Sequence, residues 1–154
     1  MHFEQKLQDL GLTLPDIARP LAAYVPAVRV ADTVYTSGQI PLVKGEIRYK
    51  GKLGLDFSVD DGYEAAKICA LNCLAAAKSV VGDLDRIVQV VKVVGFVNSA
   101  PGFTDQPKVI NGASELLAKV FGKAGEHARS AVGVAELPLG VAVEIEMIFQ
   151  IKAD

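Results

Sequence analysis

Apolar positions along this chain change period several times, and each change marks an element. Between Ser58 and Gly82, Ala66, Cys69, Ala70, Cys73, Leu74 and Ala77 recur at helical spacing. They form a narrow stripe suited to packing on a sheet. Ser58 with Asp61 is a capping-box pattern, Asp60 and Asp61 complement the positive end of the helix dipole, and Gly82 closes the helix. Val109, Ile110, Ala113, Leu116, Leu117, Val120 and Phe121 predict a second helix. Thr104 or Asp105 caps it, Pro107 sits in its first turn and Gly122 ends it. Between the helices, Arg86 to Asn98 is apolar at both parities, with Ile87, Val88, Val90, Val91, Val93, Val94, Phe96 and Val97. Such a run belongs in the middle of a covered sheet, or in one buried by subunit contact.

The flanks carry weaker patterns. Phe3 to Leu10 predicts a short helix ended by Gly11 and by the breaks at Pro15 and Pro20. Val28 to Val30 and Val34 to Thr36 read as a hairpin turning at Ala31-Asp32-Thr33. Ser37-Gly38-Gln39-Ile40-Pro41 ends it, Glu46 to Tyr49 reads as a short edge strand, and Lys50 to Gly54 as loop. After the second helix, Ala128 to Ala135 and Val141 to Phe149 read as two strands joined by a short turn. The order ββ(β)αβαββ predicts an α+β fold in a single domain over residues 1–154, with residues 1–17 as an N-terminal extension. Its sheet is mainly antiparallel, with two helices on one face. The other face has no helix layer, and other subunits are expected to cover it.

Composition narrows the function. A chain of 154 residues, 51% hydrophobic with net charge −2, is one domain, able to bury about 70% of its unfolded surface. No basic excess points to nucleic acid. No apolar run reaches the ~18 residues of a membrane span, and the first residues lack the apolar core of a signal peptide. A cytoplasmic protein is expected. Cys69 and Cys73 share a helix face without the further Cys or His of a zinc site, so they read as two small buried hydrophobes.

The last two strands carry the candidate chemistry. Alternation puts Ser130, Val132 and Val134 on one face and Arg129, Ala131, Gly133 and Ala135 on the other. Val141, Val143, Ile145 and Met147 oppose Ala142, Glu144, Glu146 and Ile148. If the two strands pair with their valine-rich faces together, Arg129 shares a face with Glu144 and Glu146. A guanidinium among small residues can take a planar carboxylate. A solvated or structural ion pair is the commoner meaning of such a pattern.

Tyr35-Thr36-Ser37-Gly38-Gln39-Ile40-Pro41, and Ala128-Arg129-Ser130-Ala131-Val132 with Leu137-Pro138 and Val143-Glu144-Ile145-Glu146, resemble the two signature regions of the Rid family. This reactive-intermediate deaminase family is also called YjgF-like or endoribonuclease L-PSP. Tyr24 matches its N-terminal tyrosine, and the resemblance runs from Ala18 to Lys152. It implies a chorismate-mutase-like fold, related to the ferredoxin-like one, assembled as a homotrimer with a site in each cleft between subunits. It also implies hydrolysis of 2-iminopropanoate or its enamine, 2-aminoacrylate, to a 2-keto acid and ammonia, with no metal or organic cofactor. On that footing Arg129 holds the substrate carboxylate and Glu144 orients or deprotonates water. Ser37 and the Gly38 backbone position the substrate, and Tyr24 closes the cleft from a neighbouring subunit.

Each position also has a plain structural meaning. Ser37-Gly38 can end a strand, Tyr24 can be a packing residue, and Glu144 or Glu146 can balance Arg129. Asn98 reads as a turn residue more readily than as a cleft residue, and His127 as an exposed residue ahead of its strand. Ala131 stands where the family often has Cys, which removes thiol chemistry there, and Gly133 where an acid is common. The segments Lys44 to Phe57 and Asn98 to Phe103 are longer than in short members, marking a divergent branch. The alternatives are a non-catalytic binder or sensor of small carboxylates and, less favoured by the acidic balance, a ribonuclease. Chorismate mutase activity would follow from fold analogy alone.

Overall fold

The computed structural model describes residues 2–17 and 22–154; the break expected at Pro20 lies outside them. A short helix α1 (Phe3–Asp9) precedes a hairpin of β1 (Ala27–Val30) and β2 (Thr33–Thr36). A separate two-stranded ribbon follows, β3 (Leu42–Val43) and β4 (Glu46–Ile47), so the segment expected as an edge strand at Glu46–Tyr49 pairs outside the main sheet and ends at Ile47, before Tyr49 turns to φ 55°. Then come α2 (Val59–Val81), β5 (Ile87–Asn98), α3 (Gln106–Phe121), β6 (Ala128–Val134) and β7 (Val143–Ile151). The main sheet has the order β1-β2-β7-β5-β6. Three of its pairings are antiparallel, while β5 and β6 run parallel.

The last two strands therefore do not form a hairpin. β6 and β7 lie on opposite sides of β5. The reason is α3, which carries the chain back along β5 so that β6 begins at Ala128, opposite Lys92. A strand, a helix and a second strand joined in this way pair in parallel. The link from β6 to β7 is no tight turn: it includes a 3-10 segment at Pro138–Gly140, with Leu139 at φ 60°.

α2 begins as its sequence dictates. The Ser58 side chain accepts from the Asp61 amide at 3.2 Å, and Asp61 Oδ2 accepts from the Ser58 amide at 3.0 Å. Gly82 ends it at φ 86°. Its small stripe lies on the sheet, with Ala66, Cys69, Ala70 and Cys73 fully buried against β7 and β2. Cys73 Sγ lies 3.3 Å from the Ile145 carbonyl, and burial pushes its thiol pKa up to about 12. The cysteines are core residues, as expected. α3 packs beside α2 so closely that a Cβ on Gly112 would meet the Tyr63 carbonyl.

All three helices share one side of the sheet, with α1 held by Phe3 against Phe121, ring centroids 4.5 Å apart. Val90, Val93 and Val97 of β5 and Val143, Ile145, Met147 and Phe149 of β7 are buried beneath them. The opposite face is open. Val28, Val30, Tyr35, Val88, Val91 and Val132 expose between 41 and 58% of their surface there. Two register shifts in β5, at Val88 and Val91, turn those valines out of the ladder.

Candidate functional site

Register decides which residues can meet. Glu144 lies opposite Phe96, which lies opposite Val132; Glu146 lies opposite Val94 and, beyond it, Ser130. Side chains directly opposite one another share a face, so both glutamates stand on the open face. Arg129 lies opposite Val93, itself opposite Met147, both buried under the helices. Arg129 thus projects to the helix side, and the expected sharing of a face with Glu144 and Glu146 does not occur. The cause is again the strand inserted between β6 and β7. In one chain these three groups form no ion pair; among the described residues Arg129 has no carboxylate within 4.0 Å.

Its guanidinium is instead held by α3. Arg129 Nη1 donates to Asn111 Oδ1 at 2.8 Å and to Ser114 Oγ at 3.2 Å. Among the described residues Nε and Nη2 donate to nothing. The side chain is half-buried on an edge strand, with one nitrogen anchored and the adjacent edge of the fork open. That edge is the geometry a carboxylate takes with two parallel bonds. Neither Asn111 nor Ser114 lies in a motif of the sequence. Their signal is the i, i+3 spacing of two polar residues on a helix whose neighbouring positions are core.

Across the sheet, the end of β2 is set against β7 by a backbone bridge between Gln39 and Ile145, N–O distances 2.7 and 3.0 Å. This seats Gly38 on Glu144: a Cβ there would stand 2.9 Å from Glu144 Cδ, with Oε2 nearer still. Only glycine leaves the carboxylate its place. Burial raises the Glu144 pKa above the ordinary carboxylate value, and the charge on Glu146 adds to this. Ser37 Oγ donates to the Val25 carbonyl at 2.6 Å, tying the strand end to the segment that carries Tyr24. Tyr24 is exposed by 57%. Ser37, Gly38 and Glu144 are therefore gathered in one region with Tyr24 nearby, while Arg129 belongs to another.

Asn98 is neither a turn nor a cleft residue. It ends β5 almost wholly buried, donating to the Val141 carbonyl at 3.1 Å and accepting from Lys52 Nζ at 2.8 Å. Lys52 also bonds the Ala135 carbonyl and pairs with Glu136 at 3.2 Å, fastening the β6–β7 link. The two long segments meet here, as Leu53 and Asn98–Ala100 exchange backbone bonds of 2.8 and 3.0 Å. His127 is half-buried, hydrogen-bonded to Ser114 and to the Gly125 carbonyl.

The fold and the sequence together can be set beside known proteins. The profile described as "YjgF/chorismate_mutase-like, putative endoribonuclease" matches residues 4–150, and the chain belongs to that family. The protein TCP17 of Trypanosoma cruzi is 45% identical over 149 residues, covering 95% of this chain and 92% of that protein. The crystal structure of Atu1372 from Agrobacterium tumefaciens, of unknown function, superposes with a TM-score of 0.92 at 45% identity, over 97% of this chain and 92% of that one. A 2-iminobutanoate/2-iminopropanoate deaminase of Dermatophagoides farinae is 31% identical over 148 residues, 92% of this chain and 95% of that protein.

Proposed function

We propose that this protein is an imine deaminase, hydrolysing small 2-imino acids and their 2-aminoacrylate-type enamines to 2-keto acids and ammonia. The observation that carries this reading is Arg129: a half-buried arginine with no carboxylate partner among the described residues and the Nε–Nη2 edge of its fork open. A buried or half-buried guanidinium calls for an anion, and its planar pair of donors fits a carboxylate. The relative named as a 2-iminobutanoate/2-iminopropanoate deaminase supports the substrate class.

Glu144 supplies the second half of the chemistry. Its raised pKa makes it a better proton acceptor than an ordinary carboxylate. An enamine first tautomerises to the imine, its methylene carbon gaining the proton that nitrogen loses. Water, deprotonated by Glu144, then attacks the imine carbon, and Glu144 passes that proton to nitrogen. The new hydroxyl gives up its own proton to nitrogen as the C–N bond breaks, leaving ammonia and the 2-keto acid. The iminium carbon is electrophilic already, so positioning and water activation supply the acceleration. Ser37 and the Gly38 backbone position the substrate in this region, and Tyr24 closes the cleft formed with a neighbouring subunit.

Arg129 and Glu144 project from opposite faces of one sheet, which argues that a substrate held by both bridges two subunits. The open face, with Val28, Val30, Tyr35, Val88, Val91 and Val132 exposed, is the surface that a homotrimer would bury. Sites then fall in the clefts between neighbouring chains.

The test is release of pyruvate and ammonia from 2-aminoacrylate generated in situ, comparing the protein with its Arg129→Ala variant. Acceleration that disappears in the variant is expected. Pyruvate binding without acceleration in the unmutated protein would replace the enzyme with a carboxylate sensor.

A further inference from the structure

Ser114 departs from the usual behaviour of a serine inside a helix. Such a hydroxyl ordinarily returns to a carbonyl of its own helix, as Ser79 does on α2, donating to the Ala76 carbonyl at 2.6 Å. Ser114 Oγ faces off α3 instead, 2.9 Å from His127 Nε2 and 3.2 Å from Arg129 Nη1. The direction of each bond follows from what each group can do. The Gly125 carbonyl, 2.6 Å from His127 Nδ1, only accepts, so Nδ1 carries the ring proton. With that nitrogen as the donor, the imidazole presents an acceptor at Nε2, to which Ser114 donates. With its proton committed, Ser114 Oγ meets Arg129 Nη1 as an acceptor. Asn111 Oδ1, at 2.8 Å, takes the other Nη1 proton. Nη1 is then fully used, and rotation of the guanidinium about its stem is fixed.

We infer that His127 and Ser114 are positioning residues for Arg129. The chain from the Gly125 carbonyl through His127 and Ser114 holds the guanidinium so that its Nε–Nη2 edge is presented to the substrate carboxylate. This rests on the proposed role of Arg129 as the carboxylate clamp. His127, read from sequence as an exposed residue before its strand, is instead half-buried and reaches Arg129 through two hydrogen bonds, without touching the substrate. The side chains come from α3 and from the approach to β6, which converge because β6 follows directly from the crossover helix.

The experiment combines steady-state kinetics on 2-aminoacrylate generated in situ with calorimetric binding of pyruvate to the assembled protein. A carboxylate clamp acts on ground and transition states alike, so Ser114→Ala and His127→Phe should each raise KM and the pyruvate Kd about tenfold, with kcat within about twofold. Ser114→Thr, which keeps the hydroxyl, should restore both. The double variant should be no worse than either single one, because a chain broken once is already broken. In the unmutated protein, nitrogen NMR shifts of His127 should show the proton on Nδ1, a readout independent of how the variants fold. A proton on Nε2, losses that add in the double variant, or KM and Kd unchanged in both single variants would overturn the inference. Arg129→Ala, measured alongside, separates the two levels. If it abolishes pyruvate binding while Ser114→Ala and His127→Phe leave binding unchanged, the positioning role falls and the clamp stands. If Arg129→Ala leaves binding and turnover intact, the clamp falls and the positioning role with it.

Discussion

Gly38→Ala sets one methyl group against the carboxylate proposed as the base. Gly38 is not among the residues at positive φ, so alanine fits its backbone. The new Cβ would stand 2.9 Å from Glu144 Cδ and 3.2 Å from Cγ. Carbon atoms in good contact sit roughly 3.5–4.0 Å apart, so the carboxylate must withdraw by about 1 Å. Because the obstacle is the end of a flexible side chain, withdrawal costs about 0.5–1.5 kcal/mol of rotamer strain. For a domain of this size that lowers Tm by a few degrees at most. Catalysis should suffer far more, since a displacement of about 1 Å in a reacting group costs on the order of a hundredfold in rate. The expected result is a kcat about a hundredfold lower with KM little changed, because Arg129 still holds the carboxylate. The assay follows ammonia and 2-keto acid from an enamine generated in place, beside a thermal melt of the same sample. A Gly38→Ala protein that melts within a few degrees of the parent and keeps kcat within about threefold would remove Glu144 from the role of base.

The acid limb of kcat/KM should lie above the ordinary carboxylate pKa, because burial and then Glu146 raise that of Glu144. Glu146→Gln should move that limb toward lower pH; a limb that stays put assigns it to another group. The same shift has a stability consequence. Glu144 binds its proton more tightly folded than unfolded, so its ionisation opposes folding as pH rises above 4.5. Glu144→Gln should therefore be more stable than the parent at pH 7, with the difference closing as pH falls to 4.5 in urea titrations. Ser58→Ala, which opens the capping box of α2, should cost about 1 kcal/mol and lower Tm by about 2–4 °C. Gly112→Ala should destabilise by about 1–3 kcal/mol, although the same change in an exposed helix would stabilise, because its Cβ meets the Tyr63 carbonyl. An unchanged melting temperature would mean that α2 and α3 can move apart freely.

Much of this protein is legible in its residue order. The capping box at Ser58, the stops at Gly82 and Gly122, the small stripe of α2 and the apolar β5 are local signals, set within a few residues by hydrogen-bonding and burial needs. Local signals of this kind place the three helices and the five strands of the main sheet, but not the ribbon of Leu42–Val43 and Glu46–Ile47, whose strands are two residues each and too short to show a period. The motifs around Ser37 and Arg129 indicate the family. Strand partnership is a different matter, because alternation says which residues share a face of one strand but not which strand lies beside it. Closeness in sequence favours pairing the Ala128–Ala135 segment with the Val141–Phe149 segment. The crossover through α3 placed β5 between them, and Arg129 passed to the face opposite Glu144. The hold of Asn111, Ser114 and His127 on Arg129 likewise spans up to 18 residues and arises only when α3 lies over the edge strand. Sequence determined the elements and the chemistry available on each, because those depend on neighbours along the chain. Tertiary structure alone decided which chemistry meets, because that depends on neighbours across the sheet.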